Sequence, residues 1–450
     1  MIEIYAVGGY DEVGKNCTAI NIDGEVLIID LGIHLENYIK LTQDEDLVKI
    51  DADKLIQVGA VPNISVLDKV KGNVKAMIIS HAHLDHVGAV PYISDKFKAP
   101  IICAPYTAAI IESILKDDKI KINNEIKTVN INSFYKISDN IKIEFVHITH
   151  SIPQAAVVAI HTKYGVILYA VDFKLDLYPT LGKKPNFKRL EELGKEGVIA
   201  LIVESTYAND ARKMPSESVA KEMLRDVLLG TENKDSLIIV TTFSSHMARL
   251  KSIIEFGKKL GRKIVFLGRS LSKYVIAAES VGIVNFSKDV EMVKYSRQIE
   301  RMLKKVDKNR KKYLLVTTGH QGEPKSVLHK IAKRNFKFDL YSEDNVIFSC
   351  RTIPTPTNIA NREALENELK QNGVRIFKDI HQSGHAARED LRDFINMVKP
   401  KNIIPAHGTV EMKDALAELA VEMDYKVDEN VFLIKNGHKV ELYSGETKLL

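Results

Sequence analysis

Six consecutive residues, His81-Ala82-His83-Leu84-Asp85-His86, place four candidate metal ligands directly after the apolar segment Ala76-Met77-Ile78-Ile79-Ser80. In an irregular loop at a strand's carboxyl end, alternate side chains can turn toward one point. His81 and His83 can then share one cation while Asp85 and His86 reach a neighbouring one. Neutral imidazole with carboxylate suits zinc best, and manganese as the carboxylates increase. One hexad cannot fill two coordination spheres, so the fold is constrained to deliver further ligands to the same place. A polar loop that happens to be rich in histidine is the competing reading, and four potential ligands in six residues argue against it.

Further ligands stand in the expected setting. His150 follows the predicted strand 141–146, Asp172 ends the predicted strand 166–171, and His407 closes the apolar run Ile403-Ile404-Pro405-Ala406. A lone histidine at a strand end usually serves only as a hydrogen-bonding residue, and the hexad's need for partners is what raises these three. His34, His147, His161, His246, His320, His329, His381 and His438 keep the ordinary reading, with His147 a fallback ligand because it lies close to His150.

Composition bounds the rest. With 450 residues, 45% hydrophobic and 27% charged, the chain is long enough for two or three domains with buried cores and is neither disordered nor a membrane protein. The net charge of +5 is a mild basic bias, compatible with a polyanionic partner. The amino terminus lacks a basic segment followed by an apolar one, which argues against a secretory signal. Three widely spaced cysteines, Cys17, Cys103 and Cys350, point to a reducing cytoplasm rather than a disulfide framework, and without a CxxC pair any metal falls to His and carboxylate.

Short predicted strands over 2–7, 17–22 and 26–30, with Asp23-Gly24 as a hairpin turn, open the chain as antiparallel structure. After Ser205 the texture becomes strand–helix alternation, with strands over 237–242, 263–267, 313–318 and 345–350, the signature of a parallel, doubly wound insert. Within it, 294–312 reads as a basic amphipathic helix or two, a solvated face or a rail for phosphates. Beyond Asp379 the histidine chemistry returns with His385 and His407.

These motifs together resemble a known family. The hexad, the later His150 and Asp172, the final His407 and the acidic Asp30 in Ile28-Ile29-Asp30-Leu31-Gly32 are similar to the metallo-β-lactamase fold, in which the Asp30 carboxylate would orient the hexad loop. Glu204, His385 and His407 match the three extra motifs of the β-CASP nucleases. Gly9 and Gly14-Lys15-Asn16, Thr241-Thr242-Phe243-Ser244-Ser245, and Thr317 to Pro324 resemble ribonuclease J over nearly the whole chain. The carboxyl end falls soon after His407, as in the shorter archaeal form.

The resemblance implies an α/β fold, a metallo-β-lactamase αββα sandwich with an inserted β-CASP domain that is parallel and doubly wound. It divides the chain into a first part of the sandwich over 1–205, the β-CASP domain over 206–378 and the C-terminal part of the sandwich over 379–450. It implies two divalent cations, zinc or alternatively manganese, one on His81, His83 and His150, the other on Asp85, His86 and His407, with Asp172 bridging. Asp85, Glu204 and His385 are then catalytic, with Glu204 orienting His385 or a ligand. Ser244, Ser245, Ser383 and Gly384 form a pocket for a 5′ monophosphate. The implied activity is a metal-dependent 5′ to 3′ exoribonuclease acting on single-stranded RNA ends, with room for endonuclease cleavage, in RNA decay or maturation in the cytoplasm, without a membrane. A homodimer and an RNA-decay helicase partner are compatible with it. A DNA-directed β-CASP nuclease is disfavoured by the histidine at 407, and a small-molecule metallo-hydrolase leaves Glu204, His385 and the insert without a purpose.

Overall fold

The computed structural model describes residues 1–44, 51–232, 235–442 and 447–449. The chain folds into two compact units, one of residues 1–175, 184–214 and 384–450, the other of residues 176–183 and 215–383.

Two sheets build the first unit. The Asp23-Gly24 turn has positive φ at both residues, as a two-residue hairpin of right-handed twist requires, and it joins the antiparallel strands Cys17–Ile22 and Glu25–Ile29. Ile2–Gly8 pairs antiparallel on one side, while on the other Glu25–Ile29 pairs parallel with Val74–Ile79, which in turn pairs parallel with Ile101–Cys103. The second sheet runs Ile403–Ala406, Val198–Glu204, Gly165–Ala170, Ala156–Thr162, Lys142–His147 and Ser133–Lys136, with its first three strands parallel.

Alternate residues of the two sheets meet in one core. Ile4, Ile20, Leu27, Ile29 and Ile78 of the first pack with Ile143, Phe145, Val158, Ile160, Ile167, Tyr169 and Ile202 of the second. The opposite faces are buried too. Met77 and Ile79 are fully buried although they point away from Ile78, and Val157, Leu168, Leu201 and Val203 pack on Leu190, Leu193, Leu391, Phe394 and Leu416 from the helices Phe187–Glu196, Arg388–Val398 and Val410–Glu422. Burial on both faces explains why these strands read as continuous apolar runs. The result is the expected αββα sandwich.

The second unit is an all-parallel sheet ordered Val290–Val293, Lys263–Leu267, Tyr313–Thr317, Ile238–Thr241, Asn345–Phe348, Arg375–Phe377. Ile239, Val265, Leu315 and Val346 pack on Ile299, Leu303, Leu365 and Leu369 from helices on one face, while Ile238, Val240, Ile264 and Phe266 are buried on the other, the doubly wound arrangement. The basic stretch over 294–312 is one helix, Ser296–Asp307, that buries Ile299, Met302, Leu303 and Val306 and exposes Arg297, Arg301, Lys304 and Lys305, followed by a 3-10 turn at Arg310–Lys312.

Some local expectations need correction. The hexad is not irregular throughout, because Leu84–Val87 forms a single helical turn with His83 at its N-cap. The helix Pro356–Gln371 starts where the Thr355 hydroxyl accepts from Asn358 N–H, with proline tolerated in a first turn. The strand Val290–Val293 was hidden in charged sequence because it lies at a sheet edge.

Candidate metal centre

Every candidate ligand leaves the carboxyl end of a strand in the first unit. Val74–Ile79 delivers His81 to His86, Lys142–His147 leads to His150, Gly165–Ala170 to Asp172 and Ile403–Ala406 to His407. Parallel registers that pair Ala170 with Val203 and Glu204 with Ala406 bring Asp172, Glu204 and His407 to one level. Asp30, Asp172 and His407 all have left-handed backbones, with φ of 62°, 67° and 50°. Such backbone is sparsely populated for residues other than glycine and gathers at functional sites. No sequence signal marks it.

The side chains form two groups whose ligand atoms lie within 4.8 Å of one another, His81, His83, His150 and Asp172 in one, Asp85, His86, Asp172 and His407 in the other. Asp172 belongs to both. Its Oδ2 lies 3.5 Å from His81 Nε2, 3.2 Å from His86 Nε2 and 3.5 Å from His150 Nε2, and its Oδ1 lies 3.2 Å from His407 Nε2. His147, the fallback, is in neither group.

Outer partners fix which nitrogen each ring offers. Asp30 Oδ2 accepts from His86 Nδ1 at 2.7 Å, and the Gly384 carbonyl accepts from His150 Nδ1 at 2.7 Å. Ser80 Oγ donates to Asp30 Oδ2 at 2.9 Å and so accepts from His81 Nδ1 at 3.0 Å. A carboxylate and a carbonyl can only accept, so these three rings carry a proton on Nδ1, and Nε2 is the atom each can offer to a cation. Burial would lower the His86 pKa, but the surrounding Asp172, Asp85 and Asp30 carboxylates raise it well above its ordinary value, so there a cation would take the place of a proton. Asp30 thus orients two imidazoles, one through Ser80, whose N–H its Oδ1 also accepts at 2.8 Å. Ser80 was not among the sequence candidates and Gly384 was named only for a phosphate pocket, because neither residue type announces an orienting role.

Electrostatics agree with cation binding. Burial pushes the pKa of His81, His83 and His150 down, well down for the last two, so they stay neutral and keep their lone pairs. Burial would raise Asp172, but His407, His86 and His385 hold it well below the usual carboxylate range. Its buried Oδ1 nevertheless accepts no hydrogen bond, and His83 Nδ1 faces His81 Nε2 at 3.2 Å and His150 Nε2 at 3.0 Å. Lone pairs crowded this closely in a buried place fit divalent cations.

Glu204 and His385 join this centre as a pair. Glu204 is fully buried, accepts from Phe173 N–H at 2.7 Å through Oε1 and from His385 Nδ1 at 2.7 Å through Oε2. It therefore anchors the backbone beside Asp172 and fixes the tautomer of His385, whose ring stacks on His407 with centroids 5.9 Å apart. Burial lowers the His385 pKa, but the Glu204 and Asp172 carboxylates outweigh it and push it up to about 10.

Ser244 and Ser245 lie in the turn after Ile238–Thr241 of the second unit, where Ser383 is also found, and Gly384 belongs to the first unit. Cys17, Cys103 and Cys350 are buried free thiols, and no helix among the described residues is long and apolar enough to cross a membrane.

A sandwich with a shared-carboxylate ligand cluster at its strand ends and a parallel α/β insert defines a metallo-β-lactamase-type protein of the β-CASP kind. Residues 10–173 match the family model of the metallo-β-lactamase superfamily, 235–367 that of the ribonuclease J β-CASP domain, and 374–432 that of the Zn-dependent metallo-hydrolase RNA specificity domain. The sequence is 43% identical over 440 residues to Ribonuclease J of Methanocaldococcus jannaschii, covering 97% of this chain and 98% of that protein. It is 42% identical over 444 residues to Ribonuclease J of Pyrococcus abyssi, covering 98% and 97%. Ribonuclease J 2 of Staphylococcus epidermidis is 29% identical over all of this chain and 76% of its own length. A crystal structure of a protein of unknown function from Enterococcus faecalis V583 shares the fold, with a TM-score of 0.65 at 17% identity over 98% of this chain and 100% of that one. The chain belongs to the ribonuclease J family.

Proposed function

We propose that this protein is a cytoplasmic, metal-dependent ribonuclease that hydrolyses RNA phosphodiester bonds 5′ to 3′, favours 5′-monophosphate ends and has room for internal cleavage. The observation that carries the reading is the buried Asp172 shared by two four-residue ligand groups. Two divalent cations, zinc by the donor set, would supply Lewis acidity that makes water nucleophilic at neutral pH and balances charge on both oxygens of an in-line displacement. His81, His83, His150 and Asp172 would hold one, and Asp85, His86, Asp172 and His407 the other.

The chain's own groups do the remaining work. Asp85 is the half-buried carboxylate of the cluster, its side chain 27% exposed against 2% for Asp172, and orients the nucleophile. His385, its Nδ1–H committed to Glu204, presents Nε2 to the scissile phosphate or the leaving oxygen, where a raised pKa makes it a donor. Ser244, Ser245 and Ser383 would receive a terminal phosphate through hydroxyl donors. Lysines and arginines of the insert over 206–378 would hold the backbone without reading sequence.

End-labelled RNA, incubated with and without chelator and sized over time, tests the activity and its polarity. Mononucleotides released from the 5′ end, faster from 5′-monophosphate than 5′-hydroxyl RNA and abolished by chelator, are expected. Equal rates for the two ends would remove the phosphate pocket, and chelator-resistant cleavage would remove the metal reading. His385→Ala should slow single-turnover cleavage on the order of 10²-fold with cation content unchanged. Metal analysis beside the rate separates this from loss of a ligand.

A further inference from the structure

The segment Gly8-Gly9-Tyr10-Asp11-Glu12-Val13-Gly14-Lys15-Asn16 has no part in the proposed chemistry, yet its two ends grip His407. At one end, the Gly9 carbonyl accepts from His407 N–H at 2.6 Å. At the other, Asn16 Oδ1 lies 2.9 Å from His407 Nδ1, across 391 positions of sequence. Asn16 is buried and its backbone is pinned on both sides, its N–H donating to the Asp85 carbonyl at 3.0 Å and its carbonyl accepting from Gly32 N–H at 3.0 Å. The approach needs glycine on both flanks. A Cβ on Gly9 would stand 2.5 Å from Asn16 Oδ1, and one on Gly32 would stand 1.6 Å from the Asp85 carbonyl oxygen.

Hydrogen-bond logic fixes how the amide points. Asn16 Nδ2 donates at 3.0 Å to the Asp85 carbonyl, which can only accept, so Oδ1 is the atom that faces His407. An amide oxygen also only accepts, so the proton must sit on His407 Nδ1 and Nε2 is left bare. That nitrogen points at Asp172 Oδ1, 3.2 Å away, and at Asp85 Oδ2, 3.9 Å away. The same amide nitrogen lies 3.0 Å from His86 Nε2, so Asn16 touches two members of that group. His81, His86, His150 and His385 are oriented by Ser80, Asp30, the Gly384 carbonyl and Glu204, and His407 takes its orientation from an amide instead.

We propose that Asn16 is a positioning residue, which holds His407 in the Nδ1–H tautomer with Nε2 aimed into the Asp85, His86 and Asp172 group and so sets that group's affinity for a divalent cation. The inference rests on the proposed function only in taking that group as a cation site.

The test is a titration of the demetallated full chain with zinc ion against a chromophoric chelator, for wild type, Asn16→Ala, His407→Ala and the double variant. Wild type should bind two equivalents. Asn16→Ala should weaken one of the two steps by about 10- to 100-fold, the usual effect of removing a ligand's outer partner, and leave the other unchanged. Because Asn16 acts through His407, adding Asn16→Ala to His407→Ala should change the affinity less than about twofold. Two unchanged steps in Asn16→Ala, or a double variant whose losses simply add, would overturn the inference. A wild type that binds no zinc would instead sink the cation site itself. Should Asn16→Ala fail to fold, as judged by its melting profile, Asn16→Asp retains an acceptor for Nδ1. Nitrogen-15 imidazole spectra should then show His407 protonated on Nδ1, and an Nε2–H form would count against the proposal.

Discussion

Asp172→Asn is expected to strip the centre of its cations and to lower RNA cleavage on the order of 10⁴-fold or more, the range found when members of one catalytic unit are removed. Asparagine keeps the volume and tolerates the left-handed φ of 67° at this position, so the loss reports charge and not backbone strain. The carboxylate lies within 3.5 Å of an Nε2 on each of His81, His86, His150 and His407. Without its charge, the two ligand groups lose the single atom pair that joins them. Elemental analysis beside single-turnover cleavage checks this, and a variant with two bound equivalents and a wild-type rate would dispose of the shared-carboxylate centre. RNA binding measured separately should change little, since Asp172 contributes no positive charge.

Arg249→Met should produce the largest loss of stability. Arg249 is fully buried, donates to Glu217 through Nε at 2.6 Å and through Nη2 at 2.8 Å, and donates from Nη1 to the carbonyls of Ser349 at 2.9 Å and Ile380 at 3.0 Å. Removing it leaves a buried carboxylate uncompensated, at about 3 to 5 kcal/mol, or a fall in Tm of roughly 10 °C. The deficit depends on pH with a definite sign. Burial alone would raise the Glu217 pKa, but Arg249 and His246 hold it well below the ordinary carboxylate range. The folded state therefore binds fewer protons, and this contribution is complete above the unfolded carboxyl value of about 4.3 and is lost as pH falls.

His381 in the same cluster is pushed well down, by burial first and then by the Arg249 charge. Its lowered folded value likewise gives stability that is present above about 6.5 and is lost as pH falls below it. In Arg249→Met, protonation of the stranded Glu217 relieves the penalty, so the gap in Tm from wild type should narrow as pH drops from 7 toward 4. Calorimetry across that range reads it. A gap that stays constant would mean the pair contributes packing and not charge.

Much of the fold was legible because burial on both faces of a parallel sheet leaves uninterrupted apolar runs. Lys263–Leu267 and Cys17–Ile22 emerge with the expected ends, and Asp23-Gly24 reads as the turn it forms. Edge and short elements were not legible. Val290–Val293 is four residues long with a charge at its second position, and Ala52–Gln57 is a six-residue helix. The hexad declares its chemistry by density of ligands, and four ligands for two cations require others of the kind that His150, Asp172 and His407 supply at later strand ends.

By itself, then, the sequence determined which residue types could meet a cation and that several strands had to end near one another, because local ligand spacing and apolar runs are written along the chain. Tertiary structure alone decided which nitrogen each ring turns inward. The carbonyl of Gly384 for His150, the relay through Ser80 for His81 and the amide of Asn16 for His407 are hydrogen bonds. Two of the three join residues hundreds of positions apart, and a tautomer depends on a neighbour's acceptor, which no local pattern of residues encodes.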